Sequence, residues 1–519
     1  MPEFALPEFG RRGFLIGTAT AGALLVSGIG LAGCSPPDIT VPELGVAGTG
    51  TLSSTDLASL LSTLDVTDHA HTGIVRLNIE WDQIEKVSGS PTWGNTDDKV
   101  GAALDAGLEV LAVISFTPDW ARPAGTDHTR APTVPLYYAR FCQYFVTRYP
   151  DVKFVEVWNE ANSRGFWTTA TGTDPIDAYA EMLGLAYNAI KNTSQGQVSV
   201  GTSGTAPNPT SGSLPADFLQ GVLTYAGDNY TQNPDYGWAA VPFDFVCHHP
   251  YNWSRNDSAN GPYKQVDGNS PTNGFALRTA ELNEVLQSVP SADGGPITNM
   301  RIWATESGVP WDPDAVTGQG LLIPSHQTTL TSSTGTGAGS FTVQSGSALP
   351  AAPTNRKIFV RIGSETLRVS RSGNTLTVAV AGDRGMFGTA AVNHTSGTVT
   401  LIAPHVASPT EAYTYVTEMF GYWRAQTGYT TWPQVTGGPT IDASEVCGPI
   451  FLFGIVDFLD TGAANGSAGF VADAESYYGL FDNGLVRKRV TGNDAYDAYV
   501  AQPGGTQSMP AARRTRTRT

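Results

Sequence analysis

Cysteine is scarce in this chain. Four occur in 519 residues, Cys34, Cys142, Cys247 and Cys447, and no two form a C-x-x-C pair. With Cys34 assigned to a targeting segment, an odd three remain, which argues against both a disulfide framework and a cysteine zinc site. They read as small buried hydrophobes. Basic residues are also short, with 30 Lys and Arg against 47 Asp and Glu and a formal net charge of −17. Such a chain presents no basic face to phosphates, so nucleic acid is not an expected partner. Metal-ligand spacing is missing too. His248-His249 has no third ligand at the right distance in sequence, so neither a metal nor a cofactor is expected. Beyond residue 34 no run is apolar enough to span a bilayer.

The first 34 residues read as targeting rather than fold. Arg11-Arg12-Gly13-Phe14-Leu15 opens an apolar stretch, Phe14 to Ala32, that resembles a twin-arginine export signal. It ends in Leu31-Ala32-Gly33-Cys34, which resembles a lipobox, with Cys34 as the lipidated residue. The expectation is an exported protein held at the outer face of the cytoplasmic membrane or in the cell envelope. Contact with the membrane would be through the lipid anchor alone. An ordinary secretory signal with a chance cysteine is the competing reading.

What the chain has is alternation. Strand-like runs at Gly45-Val46-Ala47, Ile74 to Ile79, Leu108 to Phe116, Lys153 to Trp158, Val198 to Gly201, Phe243 to His249 and Ile302 to Thr305 are separated by stretches with helical spacing. Leu57, Leu60, Leu61 and Leu64 mark one helix, and Asp174-Pro175 caps another. Near-continuous apolar strands alternating with helices predict a parallel sheet closed as a (β/α)8 TIM barrel. After the seventh strand the pattern changes. Residues 326–404 are rich in Thr, Ser and Gly, and Lys357 to Ile362, Thr366 to Val369 and Thr375 to Val380 read as strands joined by tight turns. Helical spacing resumes at Glu411 to Trp423, and Ile450 to Phe458 is the eighth strand. The expected order is a signal over 1–34, a tether over 35–44, barrel over 45–325, an inserted all-β module over 326–404, barrel again over 405–502, and a disordered basic tail over 503–519.

Two carboxylates stand out. Glu160 closes the fourth strand in Val155-Glu156-Val157-Trp158-Asn159-Glu160, and Glu306 closes the seventh in Ile302-Trp303-Ala304-Thr305-Glu306. Cleavage of a glycosidic bond needs two carboxyl groups, one a proton donor and the other a nucleophile or base. A solvated loop glutamate is the bland reading of either alone. Their matched placement at strand ends favours the site.

Val157-Trp158-Asn159-Glu160 with Glu306 resembles clan A of the retaining glycoside hydrolases. Phe116-Thr117-Pro118-Asp119-Trp120-Ala121 and Trp158-Asn159-Glu160-Ala161-Asn162 are most similar to family 39, and next to family 5. The resemblance implies that Glu160 is the general acid/base, Glu306 the nucleophile and a carbohydrate the substrate. Glu160 must then hold a proton at working pH, helped by apolar walls and the negative Glu306. Asn159 would bond the sugar 2-hydroxyl, and Tyr251 in His249-Pro250-Tyr251 would donate to Glu306. Arg76 is open between a charge partner for Glu306 and a structural ion pair, and Tyr251 between donor and packing. His248 and His249 point to opposite faces of a strand, with His249 favoured for the site.

Trp81, Trp120, Trp167, Trp253 and Trp311 follow barrel strands two, three, four, six and seven and suggest a rim platform for sugars, although each alone reads equally as loop packing. The resemblance also carries a departure. Many clan members end strand eight with Trp, where this chain has Phe451-Leu452-Phe453-Gly454-Ile455-Val456-Asp457-Phe458. Within the insert, Gly363-Ser364-Glu365, Arg384-Gly385-Met386-Phe387-Gly388-Thr389 and His394 resemble small β modules of phage tail and virion proteins. Two other functions fit the same residues: a non-catalytic glycan-binding envelope lipoprotein on a decayed barrel, and a transglycosylase. Paired glutamates with Asn159 argue against the first. The second shares the covalent intermediate and is not separable by sequence.

Overall fold

The computed structural model describes residues 39–48, 52–62, 71–209, 211–230, 241–251, 275–288, 300–350, 358–403, 406–426, 441–453 and 494–509. Cys34, Trp253 and the expected closing segment from Tyr477 to Arg489 lie outside them. Strand β1 (Ile39–Pro42) precedes β2 (Leu44–Ala47), followed by α1 (Ser54–Ser62), β3 (Ile74–Glu80), α2 (Trp81–Ile84), α3 (Gly94–Asp105), β4 (Glu109–Ser115) and α4 (Pro135–Arg148). The chain continues through β5 (Phe154–Val157), α5 (Pro175–Thr193), β6 (Ser199–Gly201), α6 (Pro215–Tyr230), β7 (Val246–His248), α7 (Ala276–Ser288) and β8 (Ile302–Ser307). Among the described residues no helix is long and apolar enough to cross a membrane.

After β8 comes an antiparallel set: β9 (Leu321–Thr329), β10 (Gly339–Thr342), β11 (Ile358–Ile362), β12 (Glu365–Ser372), β13 (Thr375–Val378) and β14 (Thr398–Ala403). Helices α8 (Pro409–Trp423) and α9 (Ala443–Val446) lead to β15 (Cys447–Phe453), α10 (Ala495–Val500) and β16 (Thr506–Met509). Eight parallel strands pair in the order β6-β5-β4-β3-β2-β15-β8-β7. The two outer strands meet through a parallel bridge between Gly201 and Phe245, with Asp244 N–H on Val200 O at 2.7 Å and Thr202 N–H on Phe245 O at 3.2 Å. The sheet is therefore a closed TIM barrel, with β5 its fourth strand and β8 its seventh.

Side-chain alternation divides the strands between two cores. Val75, Leu77 and Ile79 of β3 pack outward against the helices, while Ile74 joins Leu111, Phe154, Phe245, Trp303 and Phe451 inside the barrel floor. The same alternation carries Arg76 and Glu156 inward one layer above that apolar plug. The inserted sheet has its own core of Val360, Leu367, Val369, Leu376 and Leu401. Its hairpins turn at Gly363 and Gly373, both at φ 57°, where glycine opens a two-residue turn that suits twisted strands. The insert is tied off at its base: Trp311 bridges Ala407, Thr317 meets Ser408, and Gly318 N–H donates to Glu411 at 2.8 Å.

Two expectations need correction. Ile39 to Pro42, expected within the tether, is a strand that pairs antiparallel with Thr506 to Met509, expected within the disordered tail. The inserted sheet also starts earlier than residue 326, at Leu321.

Candidate active site

The polypeptide is bent where the fourth strand ends. Trp158 has φ 74° and Glu160 φ 45°, left-handed values that are uncommon for non-glycine residues and concentrate at functional sites. Neighbouring groups hold this bend in place. Glu160 N–H donates to Gly204 O at 2.9 Å, Ala161 N–H to Ser203 Oγ at 2.9 Å, and Trp158 Nε1 to Phe166 O at 2.9 Å. Asn162 clamps the following loop, donating to Ala206 O and Ser213 O and accepting from Ala206 N–H, each at 2.9 Å. Glu160 is thus delivered to the mouth of the barrel by a fixed turn.

Glu306 arrives from β8 and is 9% exposed. Arg76 Nη1 donates to its Oε1 at 2.5 Å and the Tyr251 hydroxyl to its Oε2 at 3.1 Å. His249 Nδ1 lies 2.9 Å from Glu160 Oε1 and 3.6 Å from Glu306 Oε2, so the imidazole stands between the two carboxylates. One oxygen of each glutamate and a ring nitrogen of His249 all lie within 4.8 Å of one another. A cation on that triad would compete with the guanidinium already seated on Glu306.

Arg76 is the hub below them. It donates through Nε and Nη2 to Glu156 at 2.9 and 2.8 Å, and Nη2 also reaches Asn159 Oδ1 at 2.9 Å. A guanidinium only donates, so Asn159 must turn its oxygen inward, which leaves its amide N–H₂ for the cavity. Burial opposes charge on Arg76, but Glu156 and Glu306 outweigh it and raise its proton affinity further above the ordinary value. His249 behaves alike: burial disfavours the cation, yet Glu306 and Glu160 together push its pKa above the usual histidine value. The shape of this cluster depends on Gly204. A Cβ there would sit 2.2 Å from His249 Nε2 and 2.8 Å from Glu156 Oε1.

Glu160, Glu306, Arg76, Asn159, His249 and Tyr251 are therefore gathered in one place. The tryptophans are not. Trp167 and Trp311 are each 1% exposed and Trp81 0%, which leaves no ring face for a sugar and corrects the platform expectation for all three. Their indoles are committed inside the fold: Trp81 Nε1 donates to Glu85 at 2.7 Å and Trp167 Nε1 to Pro175 O at 2.9 Å. Trp120 is half-buried, edge-on to Trp81 and capped by Arg140. His248 is buried with Nδ1 2.9 Å from Thr205 Oγ1.

Sequence reasoning passed over Glu156 and Gly204. A glutamate in the middle of an apolar strand was the available signal for the first. Phe116, at the end of β4, has φ 69° and stacks on His128 with centroids 4.1 Å apart. Phe453, at the end of β15, meets Tyr251 edge-on at 6.0 Å.

No protein-family model and no curated protein matches the chain. Solved structures of similar fold include a family 39 glycoside hydrolase from the gut symbiont Bacteroides cellulosilyticus WH2, at 14% identity and a TM-score of 0.47, over 88% of this chain and 62% of that one. Xylanase B from Clostridium stercorarium F9 is 12% identical at a TM-score of 0.41, covering 89% of this chain and 96% of the other. A glucosidase from Croceicoccus marinus is 17% identical at 0.35, over 54% of this chain and 55% of that one. These neighbours are glycoside hydrolases. The chain spans less than two thirds of the family 39 structure.

Proposed function

We propose that this protein is a retaining glycoside hydrolase that cleaves O-glycosidic bonds of a poly- or oligosaccharide by double displacement. The observation that carries the reading is the close approach of Glu160 and Glu306 across the barrel mouth, with oxygens within 4.8 Å. Retaining enzymes hold their carboxyl groups about 5–5.5 Å apart, whereas inverting ones need about 6.5–9.5 Å to admit a water between them. The partners of the two groups favour different duties. Glu306 takes hydrogen bonds from Arg76 and Tyr251, which suits a carboxylate that stays ionised and attacks the anomeric carbon. Glu160, at 15% side-chain exposure, has His249 beside it and, among the described residues, no arginine in an ion pair with it, which suits proton transfer to the leaving oxygen.

In the first step a Glu306 oxygen bonds to the anomeric carbon while Glu160 gives its proton to the departing glycosidic oxygen. In the second, Glu160 takes a proton from water, whose oxygen displaces Glu306. The Asn159 amide is available to a sugar hydroxyl throughout. The test is product analysis on a panel of plant and envelope polysaccharides and aryl glycosides, with the anomer first formed read by proton NMR. Release of sugar with retained configuration is expected. An inverted first product, or no turnover across the panel, would overturn the reading.

A further inference from the structure

The third carboxylate under the site has no part in either displacement step, and it is completely buried. Glu156 is 0% exposed, points into the barrel from β5, and takes both Nε and Nη2 of Arg76 in a two-pronged pair at 2.9 and 2.8 Å. Its Oε1 also accepts Gly204 N–H at 2.9 Å. Fork-on-carboxylate pairing fixes a guanidinium in plane and direction as a point charge would not. With that edge held, Nη1 is left facing Glu306 and Nη2 reaches Asn159.

We infer that Glu156 is a positioning residue that sets the aim and the effective charge of Arg76, and through it the ionisation of Glu306 and the orientation of Asn159. The inference rests on the functional reading above, but its first measurement does not.

Glu306 is faced by Arg76 from β3, by His249 and Tyr251 after β7, and by Glu160 after β5. Glu156 is faced by Arg76, and Tyr179 of α5 and Cys247 of β7 feel its charge. Arg76 thus divides one positive charge between two carboxylates. Buried Glu156 takes the two-pronged share through Nε and Nη2, and Glu306 a single contact through Nη1. Gly204 belongs to the same device: its N–H satisfies Glu156, its carbonyl takes Glu160 N–H, and its missing Cβ gives His249 room.

The test is carboxyl carbon NMR on the full chain labelled at glutamate, with Glu306 assigned by loss of its signal in Glu306→Gln. In Glu156→Gln the shape is nearly kept while the negative charge is lost, so Arg76 acts on Glu306 alone. The midpoint of Glu306 titration is expected to fall by about one pH unit, a tenfold drop in proton affinity. Glu156→Asp keeps the charge and loses the fork, so the midpoint should stay near that of the wild type. On an aryl glycoside the acidic limb of kcat/KM should move down in Glu156→Gln only, while kcat falls at least about tenfold in both variants, because aim is lost in both. If Glu156 only supports the fold, melting temperature drops while the midpoint and the limb stay where they are. A folded Glu156→Gln with an unmoved Glu306 titration overturns the inference. Absence of glycoside turnover in the wild type would instead defeat the functional reading and leave the NMR comparison standing.

Discussion

At the scale of single residues, Gly204 is where the site has least room. The β-carbon of Gly204→Ala would lie 2.2 Å from His249 Nε2, so the imidazole must shift from its place against the two carboxylates or the Gly204 backbone must move. Displacements of about 1 Å at reacting groups cost on the order of 100-fold in rate. We expect Gly204→Ala to lose about that much kcat/KM on an aryl glycoside, and kinetics beside a thermal melt will check it. His249 gives a pH prediction. Its pKa is raised in the fold, so the folded state binds the proton more tightly than the unfolded chain. The stability from that proton is fully present below about pH 6.5, the ordinary histidine value, and is lost as pH rises through the folded value. His249→Gln should flatten this fall in melting temperature as pH rises above about 6.5; an unchanged slope would place the proton elsewhere. Glu160 and Glu306 were legible in sequence because each interrupts an apolar run at a strand end. Glu156 was hidden, since its role comes from contact with Arg76 across the barrel.

At the scale of elements, the strands and helices of the barrel were readable because apolar periodicity and capping residues are local signals. Asp174 does cap α5, accepting from Ile176 N–H at 2.8 Å and Asp177 N–H at 3.2 Å. The pairing of β1 with β16 had no such signal, because it joins opposite ends of the chain. The tryptophans misled for a related reason. An indole after a strand end points to solvent or to packing according to how its loop folds back, which periodicity does not encode. Helix α8 offers an element-scale prediction. Its capping box of Ser408 and Glu411 is also the neck of the insert, through Thr317 and Gly318. Ser408→Ala should cost about 1 kcal/mol, as N-cap losses do, measured by denaturant melts. No change in the unfolding midpoint would show that the neck is held by other contacts.

At the scale of the whole molecule, one barrel carries the candidate site and a separately cored sheet departs and returns at one place beside it. The insert is organised around buried Glu365, which pairs with Arg384 at 2.6 and 2.7 Å, has His394 Nε2 at 2.8 Å, and accepts Gly385 and Val392 N–H. Burial disfavours the Glu365 carboxylate, but Arg384, Val392 N–H and His394 together lower its pKa. The folded state therefore binds that proton less tightly, and the stability gained is present above the unfolded value and lost as pH falls through the folded one. Glu365→Ala, which leaves a buried arginine unpaired, should destabilise the insert by about 3–5 kcal/mol. Its β-sheet signal should melt before that of the barrel; a single unshifted transition would contradict this.

The central claim is that Glu160 and Glu306 divide one reaction between them, and their separate replacement tests it most directly. On an aryl glycoside with a good leaving group, Glu160→Ala should still form the glycosyl-enzyme, since departure needs no proton, and should then stall for lack of a base. Mass spectrometry should find the sugar on the peptide carrying Glu306, and added azide should restore turnover. Glu306→Ala should remain inactive with every substrate, having no nucleophile. Equal losses in two folded variants, with no azide rescue and no sugar trapped on Glu306, would contradict the account.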